Sequence, residues 1–288
     1  MLNKNTYWLA SYPKSGNTWF RMFLNQLIGP EQALNLNDLQ LIDTIASSRQ
    51  VFDTALGVNS SDMLSTEIDY LRPFSDEIFN ECANSKVFRK IHDAFISPYS
   101  NQPIIPTTVS AGIIYIIRNP LDVLVSYHYH LNKTIDETMQ HLNGQDDSID
   151  QRKAGIKTQF HQYMGGWSHH VLSWAQQTSV PVCVIRYEDL LKDPVTHFNK
   201  ATRFSQISHT KEELEKAIQE TQFEKLKQQE SKARFAETPN HSNQFFRKGR
   251  SGSWREYLSK RQLEQVLTSH AEIMRKFGYL DELNNPVF

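Results

Sequence analysis

A histidine and a set of cations are the residues best placed to do chemistry. Lys90-Ile91-His92 ends a short apolar stretch. If that stretch is a strand, its period of two puts Lys90 and His92 on one face. A histidine near its ordinary pKa is a natural general base. Count alone selects none of the 11 histidines. Three basic segments accompany it. Tyr12-Pro13-Lys14-Ser15-Gly16-Asn17-Thr18-Trp19 joins an apolar run to a helical pattern. Backbone N–H groups there converge on one point, the helix N-terminus adds about half a positive charge, and Lys14 adds a full one. Gly16 permits close backbone approach, and Ser15 and Thr18 bring hydroxyls. The second segment, Arg118-Asn119-Pro120-Leu121-Asp122, reaches Ser126 eight residues on, about two helical turns. Arg118 and Ser126 could grip one phosphate, Arg offering a two-pronged fork. Arg118 could also pair with Asp122, four residues away. The third, Arg247-Lys248-Gly249-Arg250-Ser251-Gly252, is flanked by Phe245, Phe246 and Trp254. Together they suit a ligand with two separated anionic groups, beside a base.

The elements that must position these residues are legible. Tyr7–Ala10, Gly112–Ile117 and Val182–Ile185 are continuous apolar runs, the mark of strands covered on both faces. Val87–Ile91 is a weaker fourth. Helical patterns follow at Thr18–Ile28, Pro120–Leu131, Glu188–Phe204 and Ser259–Phe277. Strand then helix, repeated, predicts an α/β fold: a doubly wound parallel β-sheet flanked by helices. Ligands bind such sheets at the strands' carboxyl ends, where Lys14 and Arg118 fall. No repeat divides the chain, so residues 1–288 are read as one domain. The polar stretch 145–153 is expected to be a mobile loop. The basic, weakly periodic segment 225–252 is expected to be a lid.

The first segment is no Walker A loop, because its Lys precedes the Gly and no Lys-Ser/Thr pair follows to hold magnesium. It resembles the 5′-phosphosulfate loop of the cytosolic-type sulfotransferase family, which uses the donor PAPS (3′-phosphoadenosine-5′-phosphosulfate). Arg118 to Ser126 resembles the family's 3′-phosphate motif, Arg-Asn-Pro-x-Asp-x-x-x-Ser, at every fixed position. Arg247-Lys248-Gly249 is similar to its Arg-Lys-Gly-x-x-Gly-Asp-Trp. The resemblance runs from Tyr12 to Trp254, and it implies that the doubly wound sheet is of the P-loop nucleotide-kinase-like kind. It implies that Lys14, Ser15, Gly16, Asn17 and Thr18 hold the 5′ end of PAPS, and that Arg118, Ser126, Arg247, Lys248 and Gly249 hold the 3′-phosphate. Thr221-Gln222-Phe223 resembles the family's Thr-Ser-Phe, and Tyr187-Glu188-Asp189-Leu190 its Tyr-Glu-Asp-Leu. By that register Trp19 and Phe223 sandwich adenine, with Thr221 and Tyr187 beside it; such stacking is worth roughly 1–3 kcal/mol per base. Lys90-Ile91-His92 matches the family's Lys-x-His. The resemblance makes His92 the general base, Lys14 the group that stabilises the bridging oxygen, and Lys90 its assistant at the sulfonate. PAP is the expected product, and no metal is required.

This chain departs from the family in places. Asn17 stands where Thr is commoner, and Ser253 where Asp is usual, which is expected to weaken the third loop locally. Asp93-Ala94 replaces the Leu-Pro that follows the base in phenol- and steroid-sulfating relatives. Asp93 therefore faces a cation, either that of a polar acceptor or a nearby Arg or Lys. Tyr127 and His128 are expected to line the acceptor pocket, and His130 to lie in that pocket or at the surface. The family's dimer motif has no convincing match, so no oligomeric state follows.

Composition sets outer limits. The chain has 288 residues, 39% hydrophobic, with net charge −1. That charge argues against a general nucleic-acid binder, whose partner would need a large positive field. No apolar run reaches the ~20 residues of a membrane span, and the first residues show no signal-peptide pattern. The two cysteines make no disulfide framework, and Cys183 reads as a buried thiol. The expectation is a cytoplasmic enzyme that tailors a small molecule, at a hydroxyl or at an amine or guanidine nitrogen. A P-loop-like nucleotide kinase and a non-catalytic PAPS- or nucleotide-binding protein are the alternatives.

Overall fold

The four runs expected as strands form one sheet. The structure is a computed structural model that describes residues 4–29, 34–37, 39, 45–83, 85–144, 148–149 and 158–288. Strands β1 (Thr6–Ser11), β2 (Val87–Ile91) and β3 (Ser110–Ile117) lie in it with β6 (Val182–Arg186). Their order is β2-β1-β3-β6, and every pairing is parallel. A second, antiparallel pair joins β4 (Ser148–Ile149) to β5 (Gln162–Tyr163). The rest of the expected 145–153 loop lies outside the described residues.

Parallel strands need both faces covered, and alternation supplies two apolar sets. Trp8, Ala10, Ile113, Tyr115 and Ile117 point one way. There they meet α4 (Pro120–Leu131), α6 (Gly166–Ala175) and α11 (Lys260–Lys276) through Leu124, Trp167, Trp174 and Met274. Tyr7, Leu9, Phe88, Ile114 and Ile116 point the other way. They meet α1 (Asn17–Ile28), α8 (Pro194–Phe204) and α9 (Lys211–Glu220) through Phe20, Phe23, Phe198 and Leu214. Cys183 is buried on that face. Each fully buried large side chain contributes roughly 1.5–3 kcal/mol, so the sheet is a rigid base for its edge loops. The remaining helices are α2 (Arg49–Leu56), α3 (Ser65–Glu81), α5 (Ile135–Leu142), α7 (Tyr187–Lys192) and α10 (Phe223–Lys232).

Two expectations about elements are corrected. Glu188–Phe204 is not one helix, because Asp193 takes φ −140° and ψ 77° between α7 and α8. Pro194 disfavours a helical residue before it, and Asp193 instead accepts the Thr196 N–H at 3.1 Å to start α8. The segment expected to be irregular from 225 begins inside α10, whose buried face is only Leu226 and Glu230. The stretch without helix or strand is 233–252.

The register brings four strand ends level. Ala10 pairs with Ile91, Ser11 with Ile116 and Ile117 with Arg186. The chain leaves β1 toward β2 on one side and reaches β3 on the other. The loops after β1 and β3 therefore flank the sheet's switch point.

Candidate active site

At that edge opens a cavity of about 1050 Å³. The loop after β1 forms one wall. Lys14 takes φ 66°, a left-handed conformation that costs a non-glycine residue roughly 1–2 kcal/mol. Its carbonyl accepts from Arg118 Nη1 at 2.9 Å. Gly16 takes φ 103° and is the N-cap of α1 with no side-chain cap. A Cβ at Gly16 would lie 2.6 Å from the Tyr187 ring, so glycine is required there twice over. Lys14 Nζ lies 3.5 Å from His130 Nδ1 and 4.2 Å from the Phe245 ring centre. Burial lowers the Lys14 pKa to about 7; Glu237 pulls it up, and Lys90, Arg118 and Arg247 push it down. A cation so crowded by cations is a strong attractor for an anion.

The second and third segments are joined to the first. Arg118 Nη2 donates to the Arg250 carbonyl at 3.3 Å, and its guanidinium lies 4.4 Å from the Tyr187 ring centre. Among the described residues Asp122 turns to the third segment and not to Arg118. Its Oδ2 accepts from Gly252 N at 2.7 Å, and its Oδ1 from Ser253 Oγ at 2.9 Å and Trp254 N at 3.1 Å. This corrects the expectation for Ser253, whose hydroxyl ties the loop down where a second carboxylate would repel Asp122. Arg247 packs on Tyr129 at 4.0 Å and donates to Tyr257 Oη at 3.2 Å. Lys248 pairs with Glu256. Gly249 takes φ 59°, and a Cβ there would fall 2.1 Å from Phe223. Ser126, Arg118, Arg247, Lys248, Gly249, Tyr187, Trp19 and Phe223 all line the cavity.

His92 follows the last residue of β2 and also lines the cavity. Its Nδ1 lies 2.7 Å from the Ser11 carbonyl. A carbonyl only accepts, so Nδ1 carries the proton and Nε2 keeps its lone pair. Burial first and then Lys90 lower the His92 pKa to about 3, so the ring is neutral at pH 7. Its backbone is clamped from behind: His170 Nε2 is 3.0 Å from the His92 carbonyl, and His170 Nδ1 is 2.8 Å from Tyr115 Oη. The ring is thus neutral, with its Nε2 lone pair free of a proton, although a pKa this low departs from the ordinary value that best suits a base.

Four sequence expectations change here. Asp93 does not reach the cavity. Its carboxylate is buried against Arg72 of α3, at 2.8 and 2.9 Å, so it anchors the strand end that carries His92. His128 turns away and its Nδ1 contacts the Lys133 carbonyl, whereas Tyr127 and His130 line the cavity. One helical turn after Ser126 falls at His130, which the spacing could have shown. Thr221 is fully buried, and its hydroxyl bonds back to Ala217 at 2.8 Å. Its carbonyl instead holds the Trp19 indole N–H at 2.8 Å. The Asn17 amide nitrogen, the group expected to donate to the ligand, is spent on the Leu9 carbonyl and Ser11 Oγ. Ser15 Oγ is buried behind the cavity lining and has no hydrogen-bond partner among the described residues. One residue was missed altogether: Glu237, on the 233–252 stretch, reaches Thr18, Arg21 and Lys90.

Comparison with known proteins follows the same lines. Residues 4–278 match the family model described as the sulfotransferase domain. Flavonol 3-sulfotransferase of Flaveria bidentis is 27% identical over 277 residues, spanning 91% of this chain and 79% of that protein. Sulfotransferase 1B1 of Canis lupus familiaris is 27% identical over 263 residues, spanning 89% and 79%. Among solved structures, mouse sulfotransferase SULT7A1 complexed with PAP has TM-score 0.63 and 23% identity, covering 95% of this chain and 84% of that one. Retinol dehydratase in complex with androsterone and inactive cofactor PAP has TM-score 0.62 and 19% identity, covering 96% and 82%. Both share the fold.

Proposed function

The chain belongs to the sulfotransferase family, and on that premise we propose that it moves the sulfonate of PAPS to a hydroxyl or nitrogen of a small polar acceptor, with His92 as general base. Membership sets aside the nucleotide-kinase and non-catalytic alternatives. One observation carries the choice of donor: a single cavity joins two cationic grips, Lys14 with Lys90 and Arg118 with Arg247, next to His92. A nucleotide phosphorylated at both 3′ and 5′ ends fits two such grips, whereas a 5′-triphosphate fills one. The residues suit that donor in detail. The start of α1 has no side-chain cap, the Ser15 hydroxyl beside it is buried, and Lys14 sits among Lys90, Arg118 and Arg247, a set of groups that suits an anion. SULT7A1 and retinol dehydratase, which share the fold, were solved with PAP.

The donor supplies an activated sulfonate on a 5′-phosphate leaving group. Lys14 neutralises the charge that gathers on that phosphate as the S–O bond breaks, and Lys90 steadies the sulfonate. His92 Nε2 takes the acceptor's proton. A base so placed contributes ~10²–10⁴-fold. The idea of a cationic acceptor rested on Asp93 and is withdrawn with it, since Glu237, which lines the cavity, is already held by Arg21, Lys90 and Thr18. A cytoplasmic setting belongs to the same proposal. One relative is named cytosolic sulfotransferase 14 of Arabidopsis thaliana, and no helix among the described residues is long and apolar enough to cross a membrane.

Calorimetric titration with PAP and with adenosine 5′-phosphate tests the reading. PAP is expected to bind at least 100-fold tighter, and Arg118→Met to remove most of that difference. Equal affinities would sink the two-grip account.

A further inference from the structure

Glu237 has no counterpart in the motifs that carry the donor site, yet it sits among them. Its Oε1 meets Nη1 of Arg21 at 2.5 Å. Its Oε2 lies 3.3 Å from Lys90 Nζ and accepts from Thr18 Oγ1 at 3.2 Å. Arg21 is 1% exposed, on the second turn of α1. A guanidinium so buried needs a counter-ion, and stripping it of one is strongly unfavourable. Glu237 is therefore pinned at one oxygen, while the other faces the cavity. Arg21 also offsets the carboxylate's charge, so an anion can approach Lys90 without full repulsion. Burial alone would raise the Glu237 pKa, but Lys90 and Arg21 hold it well below the usual range, so the group is ionised.

We propose that Glu237 is a positioning residue for sulfonate transfer: anchored on Arg21, it holds the Lys90 ammonium and the Thr18 hydroxyl toward the transferred group. This rests on the sulfonate-transfer reading above. Lys90 ends a long, flexible side chain with three rotatable donors. Fixing one donor on a pinned carboxylate aims the others. Glu237 lies ten residues before Arg247, on the stretch that carries the third basic segment. The same contact therefore docks that stretch against α1 and β2. Loss of one charge-assisted hydrogen bond of this kind corresponds to roughly a 10- to 100-fold fall in rate.

A structural role predicts otherwise, and two substitutions separate them. Glu237→Gln takes a carboxylate away from the buried Arg21 guanidinium, so both Tm and kcat should fall. Arg21→Met combined with Glu237→Gln removes both charges of the pair. The double variant should regain most of the lost Tm yet stay about 10- to 100-fold slow in kcat, with acceptor KM near wild type, because the Glu237 carboxylate no longer aims Lys90. A second readout moves only with charge. Glu237 raises the Lys14 pKa against Lys90, Arg118 and Arg247, with His130 alongside. The pH at which PAP affinity begins to fall should therefore drop in both variants. Recovery of kcat together with Tm in the double variant would overturn the proposal, as would a Glu237→Gln rate within threefold of wild type. Failure of the wild type itself to transfer sulfonate from PAPS would instead remove the underlying reading.

Discussion

Raising the pH should weaken PAP binding through one residue, Lys14. Its ordinary pKa of 10.5 is lowered to about 7, chiefly by burial and then by the balance of Glu237 against Lys90, Arg118 and Arg247. That gap corresponds to about 5 kcal/mol of disfavoured charge. Between about pH 6 and 7 the ammonium is largely charged with or without ligand, so affinity changes little. Above pH 7 the free protein has released this proton, and Lys14 regains it from solvent when the phosphate binds. Affinity then falls up to tenfold per pH unit, about 100-fold between pH 7 and pH 9. Phosphate ionisation does not interfere, since its second pKa is about 6. The unliganded protein should show the converse sign. From about pH 7 to 10 the unfolded chain keeps a proton that the folded one has lost, so the Lys14 contribution to stability improves as pH rises. Calorimetry in buffers of different ionisation heat measures both the affinity and the proton taken up, which should approach one near pH 8. Lys14→Arg stays charged throughout and should flatten the profile. An affinity that is level from pH 7 to 9, or an equal fall in Lys14→Arg, would refute the reasoning.

Three further outcomes follow from the geometry. Asp93→Asn breaks the buried pair with Arg72 and should lower Tm by about 10 °C while leaving acceptor KM unchanged at permissive temperature; a raised KM at unchanged Tm would return Asp93 to the acceptor site. Gly249→Ala forces a Cβ onto Phe223, so PAP affinity should fall at least tenfold by calorimetry with the far-ultraviolet circular dichroism unchanged; wild-type affinity would separate Phe223 from the nucleotide. Gly16→Ala should weaken PAP comparably, because Tyr187 must leave the first loop.

What was legible depended on whether the signal was local. The strands were, because a parallel strand buried on both faces leaves an unbroken apolar run, as at Gly112–Ile117. The three basic segments were, because loops that approach an anion need glycine and cations at fixed spacing, as at Gly16 and Gly249. The partner of Asp93 was not: Arg72 lies 21 residues earlier, and only the packing of α3 beside β2 brings them together. Sequence left that carboxylate facing a cation, and tertiary structure chose which. His128 and His130 shared a helix, and one turn from Ser126 would have selected His130, so that signal was present and unused. The same holds for Asp193-Pro194, which separates α7 from α8. Glu237 carried no local signal at all. It matters because the irregular stretch 233–252 crosses to α1 and β2, a contact spanning more than 140 residues in sequence.

The central claim is that His92 removes the acceptor's proton while the cationic cavity holds the donor. Single-turnover transfer from radiolabelled PAPS across a panel of hydroxyl and amine acceptors tests it most directly, with His92→Ala in parallel. Label should pass to at least one polar acceptor in the wild type, and the variant should bind PAP as tightly yet transfer ~10²–10⁴-fold more slowly. Transfer by His92→Ala at the wild-type rate would contradict the account.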